Sequence, residues 1–190
     1  MKHLSRFFTA VGMLAIICSA SAQPKVAQPF EKAVKLDVAI SKPANIKGGD
    51  YDDKTQRIAV KVKLTNKELR QSYEGYKATV SVLGQSAVEK DIRKVLLSEK
   101  FDVALLPSKT VEHSCEEIMT RFDKTGLAYG YFYDGWIVVI HDPAQQIVWV
   151  KSNLTALEKF PGSAEKLALH GCYDRKLNPV KDPARNGSGF

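Results

Sequence analysis

Apolar and polar residues alternate along much of this chain, the pattern of β-strands that bury one face and expose the other. Residues 57–65 show it most cleanly, because every even position is apolar and the odd positions carry arginine, alanine, lysine or threonine. Residues 35–41 and 76–82 repeat the alternation. We interpret these segments as half-buried strands of an antiparallel sheet.

Two stretches are less regular. Residues 95–97 and 101–105 are interpreted as short strands on either side of a polar corner. In residues 110–123 the apolar positions follow helical spacing, yet the segment lies between strands and begins with β-branched residues. We favour an extended segment here and keep a helix as the alternative.

The chain between Gly126 and Lys151 carries the strongest local signal. Asp134-Gly135 separates two runs of aromatic and β-branched residues, and such a pair favours a two-residue β-hairpin turn. A second turn containing Pro143 then leads into residues 147–151. We therefore predict a three-stranded antiparallel meander whose two faces are both largely apolar and both at least partly covered.

Strands of this length at regular intervals predict a mainly β fold, an antiparallel β-sandwich, with a closed or half-open barrel as the rival. Residues 154–160 and 164–170 are predicted to form one or two short C-terminal helices. The sandwich domain should span residues 35–172. We expect a linker or disordered arm at 23–34 and a disordered tail at 173–190.

The first 22 residues have the features of a secretory signal peptide. A basic start at Lys2 and Arg6 precedes a short apolar run and an Ala20-Ser21-Ala22 cleavage site. Export to the periplasm, the cell surface or the medium is expected, with no membrane span left after cleavage. Cys18 raises the alternative of a lipoprotein, although Ile17 stands where a small residue is needed.

Charge and motifs exclude several classes of function. The net charge is +7, but lysine and arginine are dispersed, without the basic and aromatic clusters that nucleic-acid binding needs. Hydrolase, phosphate-loop, zinc-protease and calcium-loop motifs are absent from the sequence. We therefore expect no enzymatic activity and no cofactor.

The cysteines allow three interpretations. Export leaves Cys115 and Cys172, and two cysteines in an oxidising compartment predict one disulfide between them. Each cysteine also follows a histidine by two positions. On strands, His113 with Cys115 and His170 with Cys172 could complete a tetrahedral zinc site. Two free thiols are the third alternative.

An aromatic stripe, formed by Tyr129, Tyr131, Tyr133 and Trp136, has two interpretations. Such side chains stack on sugars in carbohydrate-binding proteins, and they also fill the cores of ordinary sandwiches. The core interpretation is favoured, and a glycan-binding face remains the alternative.

Three segments together resemble a known class of protein: residues 58–65, the run from Tyr73-Glu-Gly-Tyr76 into residues 78–83, and residues 129–136 with the Val-Val-Ile that follows. They resemble small exported bacterial proteins with an immunoglobulin-like sandwich, some encoded beside type IV pilus or other surface-assembly components. The resemblance implies a non-enzymatic envelope protein that acts by protein–protein or surface contact. We do not expect a pilin itself, because the sequence of residues 1–22 does not show the pattern of the long apolar helix through which a pilin polymerises.

Overall fold

The computed structural model describes residues 28–46, 54–125 and 128–183. Strands dominate, and the helical segments are short. In chain order the elements are α1 (Phe30–Ala33), β1 (Val34–Ser41), β2 (Ala44–Ile46), β3 (Lys54–Asn66), β4 (Tyr73–Ser86), β5 (Arg93–Leu105), β6 (Thr110–Ser114), β7 (Ile118–Asp123), β8 (Tyr129–His141), β9 (Ile147–Ser152), a 3₁₀ helix (Thr155–Lys159), α2 (Pro161–Ala164), β10 (Cys172–Tyr173) and β11 (Pro179–Val180).

Within the described ranges, eleven strands form one hydrogen-bonded sheet, and every paired neighbour is antiparallel. The sheet folds over into two layers. The first layer has the order β1-β3-β6, and the second has the order β9-β8-β4-β5-β10-β11. Strand β7 pairs with both β3 and β8 and so joins the layers at one end. The predicted mainly β fold, an antiparallel β-sandwich, is confirmed.

Between the layers lies the first hydrophobic core. Most of its members come from alternate positions of the facing strands, as the sequence pattern predicts, and Phe30 and Ala33 of α1 complete it. On β3 the even residues Ile58, Val60, Val62 and Leu64 are all at most 3% exposed. They pack against the even residues of β4 and β8, including Val80 and Ile140.

A second core lies on the opposite face of the β8-β4-β5 layer. The C-terminal segment from residue 154 to 177 covers this face. Ile137 and Val139 of β8 point into it, while their neighbours Val138 and Ile140 point into the first core. The prediction that residues 136–140 belong to a strand covered on both faces agrees with this arrangement.

The predicted hairpin at Asp134-Gly135 is wrong. Strand β8 runs through both residues without turning, and neither has a positive φ. Asp134 is instead the extra residue of a β-bulge, because Leu83 pairs with Gly135 and the next residue of β4 pairs with Tyr133. Arg93 binds the Asp134 carboxylate in a largely buried ion pair. Gly135 is needed for a close approach, since a Cβ there would lie 2.7 Å from Asn153 Oδ1.

The polar corner predicted between residues 97 and 101 is also wrong, because β5 is one continuous strand. Residues 110–123 are extended, as favoured. They form β6 and β7, which pair with successive parts of β3. The interruption between these two strands contains Cys115.

Both ends of the described chain are more ordered than the sequence suggested. Where a linker was predicted, Phe30 and Ala33 of α1 are buried, and Phe30 stacks on Tyr76 with ring centroids 4.7 Å apart. Where a disordered tail was predicted, Tyr173 and Leu177 are buried and β10 pairs with β5 and β11. Residues 1–22, predicted as the signal peptide, lie outside the described residues.

The C-terminal helices are shorter than predicted. The 3₁₀ helix falls within residues 154–160, but α2 has four residues and ends where the second helix was expected to begin. Among the residues described, no helix is long and apolar enough to cross a membrane.

Candidate functional site

The two His-x-Cys pairs lie at different places along β5. The first pair, His113 and Cys115, meets Glu99 near the middle of that strand. The second pair, His170 and Cys172, lies beside Lys94 near its beginning, where Cys172 is the β-ladder partner of Lys94. The first His-x-Cys pair therefore lies beside a carboxylate, whereas the second lies beside an ammonium group that is itself paired with Asp182.

The backbone of the first pair is fixed by β3. His113 pairs with Val62 in the β3–β6 ladder, and the Cys115 N–H donates to the Val60 carbonyl at 2.9 Å. Alternate residues of a strand share a face, so both side chains point toward β5 in the opposite layer. One ligand-type atom from each of Glu99, His113 and Cys115 lies within 4.8 Å of the other two.

Several contacts fix the orientation of these side chains. His113 Nε2 and Glu99 Oε2 are 2.9 Å apart, and the other oxygen of Glu99 accepts the Glu116 N–H at 2.7 Å. The Phe101 ring stacks on the imidazole, with centroids 4.2 Å apart and planes 9° from parallel. The cluster is thus held in one arrangement by both layers of the sandwich.

The thiol of Cys115 is held in its neutral form. Burial, followed by the charge of Glu99 and a hydrogen bond to it, raises its pKa to about 12. A thiol with this pKa is no nucleophile at neutral pH, because the thiolate is the reactive species. The cluster therefore lacks the activated cysteine of a Cys-His hydrolase. Its oxygen, nitrogen and sulfur donors are suited to binding a cation.

A shallow groove of about 310 Å³ ends at this cluster. The end of β1, the middle of β3 and the end of β6 form its walls, and Cys115 lies at one side. Solvent therefore reaches the border of the cluster from the first layer of the sandwich.

The second pair has a different environment. His170 is exposed and has a left-handed backbone with φ of 65°, whereas Cys172 is buried. The Tyr131 hydroxyl lies 3.5 Å from Cys172 Sγ and donates to Asp182 at 2.6 Å. Asp182 also pairs with Lys94 at 2.9 Å. Burial is the main reason that the pKa values of Cys172 and Tyr131 are both raised.

The predicted disulfide between Cys115 and Cys172 is not formed in this structure, where both are free thiols. Cys172 lies opposite Lys94 and Cys115 lies beside Glu99, and these two β5 positions are about 15 Å apart along the strand. Bridged cysteines have Cα atoms within about 7 Å of each other. The same separation rules out the predicted four-ligand zinc site, because His170 and Cys172 cannot join His113 and Cys115.

The aromatic stripe does not form a continuous platform either. Tyr131 is 6% exposed and bound to Asp182, while Tyr133 and Trp136 pack against the first core. Tyr129 is exposed at one end of β8. The glycan-binding alternative therefore loses the exposed row of rings on which it was based, and the core interpretation describes three of the four residues.

Sequence reasoning missed Glu99, although a signal was present. Read as one strand, residues 97–105 place Glu99 in the inward row between Leu97 and Phe101, with Val103 and Leu105 following. A carboxylate in an apolar row needs a partner, because an unpaired buried charge is costly. Splitting this stretch into two strands hid the pattern.

The outer edge of β1 is a second feature of interest. Eight residues of β1 pair with β3, and no other described strand pairs with β1. The Lys67 N–H donates to the Ala33 carbonyl at 2.8 Å, which sets the phase of the ladder. Odd residues of β1 therefore bond to β3, and the N–H and C=O groups of even residues point away from the sheet.

The inward side chains of β1 are also incompletely covered. Leu36, Val38 and Ile40 contact the first core but remain partly exposed, whereas the equivalent row of β3 is fully buried. Half-burial of an inward row is what a missing neighbouring strand would leave. The edge thus presents both free backbone groups and apolar side chains.

No protein-family model and no curated protein matches this chain. Several solved structures are weakly similar, and three of them are described here. A β-glucosidase from Kluyveromyces marxianus is 18% identical with a TM-score of 0.29, covering 63% of this chain and 14% of its own. The same enzyme with glucose bound is 17% identical, with the same TM-score and coverage. A protein from Akkermansia muciniphila is 12% identical with a TM-score of 0.26, covering 68% of this chain and 75% of its own. Likenesses at this level carry no argument about function.

Proposed function

We propose that the chain is an exported, non-enzymatic protein of the cell envelope that works by protein–protein contact, taking up a β-strand of a partner at the outer edge of β1. The signal-peptide pattern of residues 1–22 supports export. The observation that carries the proposal is the free edge of β1, with its outward backbone groups and half-covered apolar row.

An added strand would satisfy both features of this edge. Its main chain would pair with the outward N–H and C=O groups of Leu36, Val38 and Ile40, which supplies affinity. Its inward side chains would cover the apolar row of β1, which supplies specificity. Lys35 and Asp37, which pair with each other on the outer face, would lie beside the junction.

Amide hydrogen exchange tests the proposal at single-residue resolution. In the isolated protein, the amides of Leu36, Val38 and Ile40 should exchange fast, and those of Asp37 and Ala39 should be protected by β3. In the complex isolated from the native envelope, the three outward amides should become protected. Fast exchange of these three amides in the complex would refute strand addition at β1.

A proline variant separates the backbone from the side chain. Val38→Pro removes the outward N–H and leaves the ladder to β3 intact, because proline is tolerated at a free edge. Val38→Ala shortens the side chain and keeps the N–H. Co-purification from the native envelope should lose the partner with Val38→Pro and retain it with Val38→Ala, while circular dichroism shows both variants folded. Equal partner recovery with both would contradict the proposal.

The predicted export can be tested separately from partner binding. Mass spectrometry of protein from the native host should find an N-terminus at Gln23. A lipid-modified Cys18 at the N-terminus would replace cleavage after Ala22 by the lipoprotein alternative.

A further inference from the structure

We propose that Glu99, His113 and Cys115 form a binding site for one zinc ion at the border between β5 and β6. This inference is independent of strand addition at β1. It differs from the site that the sequence suggested, because a carboxylate of the opposite layer takes the place of the second His-x-Cys pair.

The donor set matches the chemistry of zinc. Carboxylate oxygen, imidazole nitrogen and thiolate sulfur are the three ligand types that Zn²⁺ takes in proteins, at roughly 2.0–2.3 Å. The donor atoms of the three residues lie within 4.8 Å of one another, so small side-chain rotations would place all three around one ion. A harder ion such as Mg²⁺ would find a single oxygen ligand here, and Cu⁺ favours sulfur over carboxylate.

The surroundings resemble the outer shell of a metal site. Ligands of a bound metal are normally oriented by hydrogen bonds and packing. Glu99 is held by the Glu116 N–H at 2.7 Å, and the His113 ring is fixed by stacking on Phe101. Cys115 is fixed through its backbone, which is bonded to Val60. Each of the three residues thus has one contact that positions it without occupying all of its donor capacity.

The groove supplies access. It reaches Cys115 and Ser114 from the solvent side of the first layer. Three protein ligands leave one tetrahedral position, and water from the groove can fill it. Zinc would replace the hydrogen bond between Glu99 and His113 by a bond to each residue. The Cys115 thiol would lose its proton to solvent as its sulfur bonds the ion.

The experiment measures zinc in untagged protein purified from the exported fraction under reducing conditions without chelator. Elemental analysis after dialysis should give close to one zinc per chain. Competition with a chromophoric chelator should show affinity falling in Glu99→Gln, His113→Gln and Cys115→Ser. Each loss should exceed the roughly 10- to 100-fold that removal of an outer-shell partner typically causes.

The second His-x-Cys pair provides the matched controls. His170→Gln and Cys172→Ser remove the same residue types near Lys94 and should leave zinc affinity unchanged. Co²⁺ provides a readout of the sulfur ligand, because a thiolate bound to cobalt gives a near-ultraviolet charge-transfer band. This band should be present in the two controls and absent in Cys115→Ser, while circular dichroism shows that all variants are folded.

Three outcomes would overturn the proposal. The first is less than a tenth of a zinc per chain with no uptake on titration. The second is zinc uptake that the Glu99, His113 and Cys115 variants retain. The third is a cobalt complex of the native protein without the sulfur band. None of these results bears on partner binding at β1, whose own test uses exchange of the outward amides.

Discussion

The two hydrophobic cores use the same strands in different ways. The core between the layers is mainly strand against strand, and most of its side chains sit at alternate positions of regular strands. The outer core sets the far face of β4, β5 and β8 against a segment with little regular structure, residues 154–177. A central strand that is apolar on both faces must be covered twice, and a second sheet is one of several ways to do so.

We call residues 154–177 the cover. Its ladder to the sandwich is the two-residue strand β10, and the rest of it is held by turns, side-chain hydrogen bonds and apolar packing. The Tyr173 hydroxyl accepts the Ala168 N–H at 2.9 Å, and the Ser152 hydroxyl at the end of β9 accepts the Leu154 N–H at 3.0 Å. Leu157, Leu167 and Leu177 then fill the space above Ile137 and Val139. Because the cover shares far fewer ladder hydrogen bonds with the sandwich than the long strands share with one another, we expect it to open before the sandwich does.

The largest effect is expected in the core between the layers. Val80 is fully buried at the centre of β4, and Val80→Asp would place a charge there without a partner. Such a change costs more than about 4 kcal/mol, a large part of the stability of a typical domain. Circular dichroism should show an unfolded or molten chain at room temperature.

Lys100→Asp is the matched control, since it introduces the same side chain at an exposed position of the neighbouring strand. Its free energy of unfolding should stay within about 0.5 kcal/mol of the native value. A cooperative native transition in Val80→Asp would show that the first core is not the main source of stability.

A smaller and local effect is expected in the outer core. Leu157 is 1% exposed, and Leu157→Ala removes about 2–5 kcal/mol of packing. Because the cover has only a two-residue ladder to β5, hydrogen exchange should speed up in residues 154–180 while the central amides of β3 and β4 keep their protection.

Leu169→Ala serves as its control, because Leu169 belongs to the same segment and is half exposed. It should change neither exchange nor the melting temperature appreciably. If Leu157→Ala instead accelerates exchange of the Val60 and Val80 amides equally, the two cores unfold as a single unit and the cover does not open independently.

The difference between the two cores also explains which parts of the fold could be predicted from the sequence. Alternation predicted β1, β3 and β4 and their inward residues, because burying one face of a strand forces period-two patterning. The cover was missed because its buried residues, such as Tyr173 and Leu177, sit among turns with no period. Their burial depends on the apolar outer face of β8, which is distant in sequence.

Sequence-based prediction failed at two places where contacts with residues distant in sequence determine the structure. Asp134-Gly135 favours a turn in isolation, but Arg93 binds the aspartate and Asn153 packs where a side chain of residue 135 would lie. Tertiary contacts thereby convert a turn sequence into a bulge. The sequence indicated two of the three residues of the candidate metal cluster, because His113 and Cys115 could be selected from their spacing. Glu99 could be selected only by interpreting β5 as one uninterrupted strand.

The smallest expected effect concerns the turn that ends the cover. Asp174 Oδ1 accepts the N–H groups of Lys176 at 2.7 Å and Asn178 at 2.9 Å, and its Oδ2 accepts the Asn178 side-chain amide at 2.9 Å. Within this turn Leu177 is buried with a left-handed φ of 62°, a conformation unfavourable for leucine. The carboxylate thus helps to hold Leu177 in the outer core.

These hydrogen bonds, the one from the Asn178 side chain above all, lower the pKa of Asp174. A carboxyl group whose pKa is lower in the folded than in the unfolded state stabilises the fold above the unfolded value, near 3.9, and loses this contribution as the pH falls through the folded value. The Lys176 and Leu177 amides should therefore shift in an NMR titration below about pH 4, before those of Val80 and Ile140. Asp174→Asn should loosen the turn at every pH and abolish this step. If the turn amides move only together with the core amides, the cover has no independent acid transition, and the sandwich and its cover respond to pH as one body.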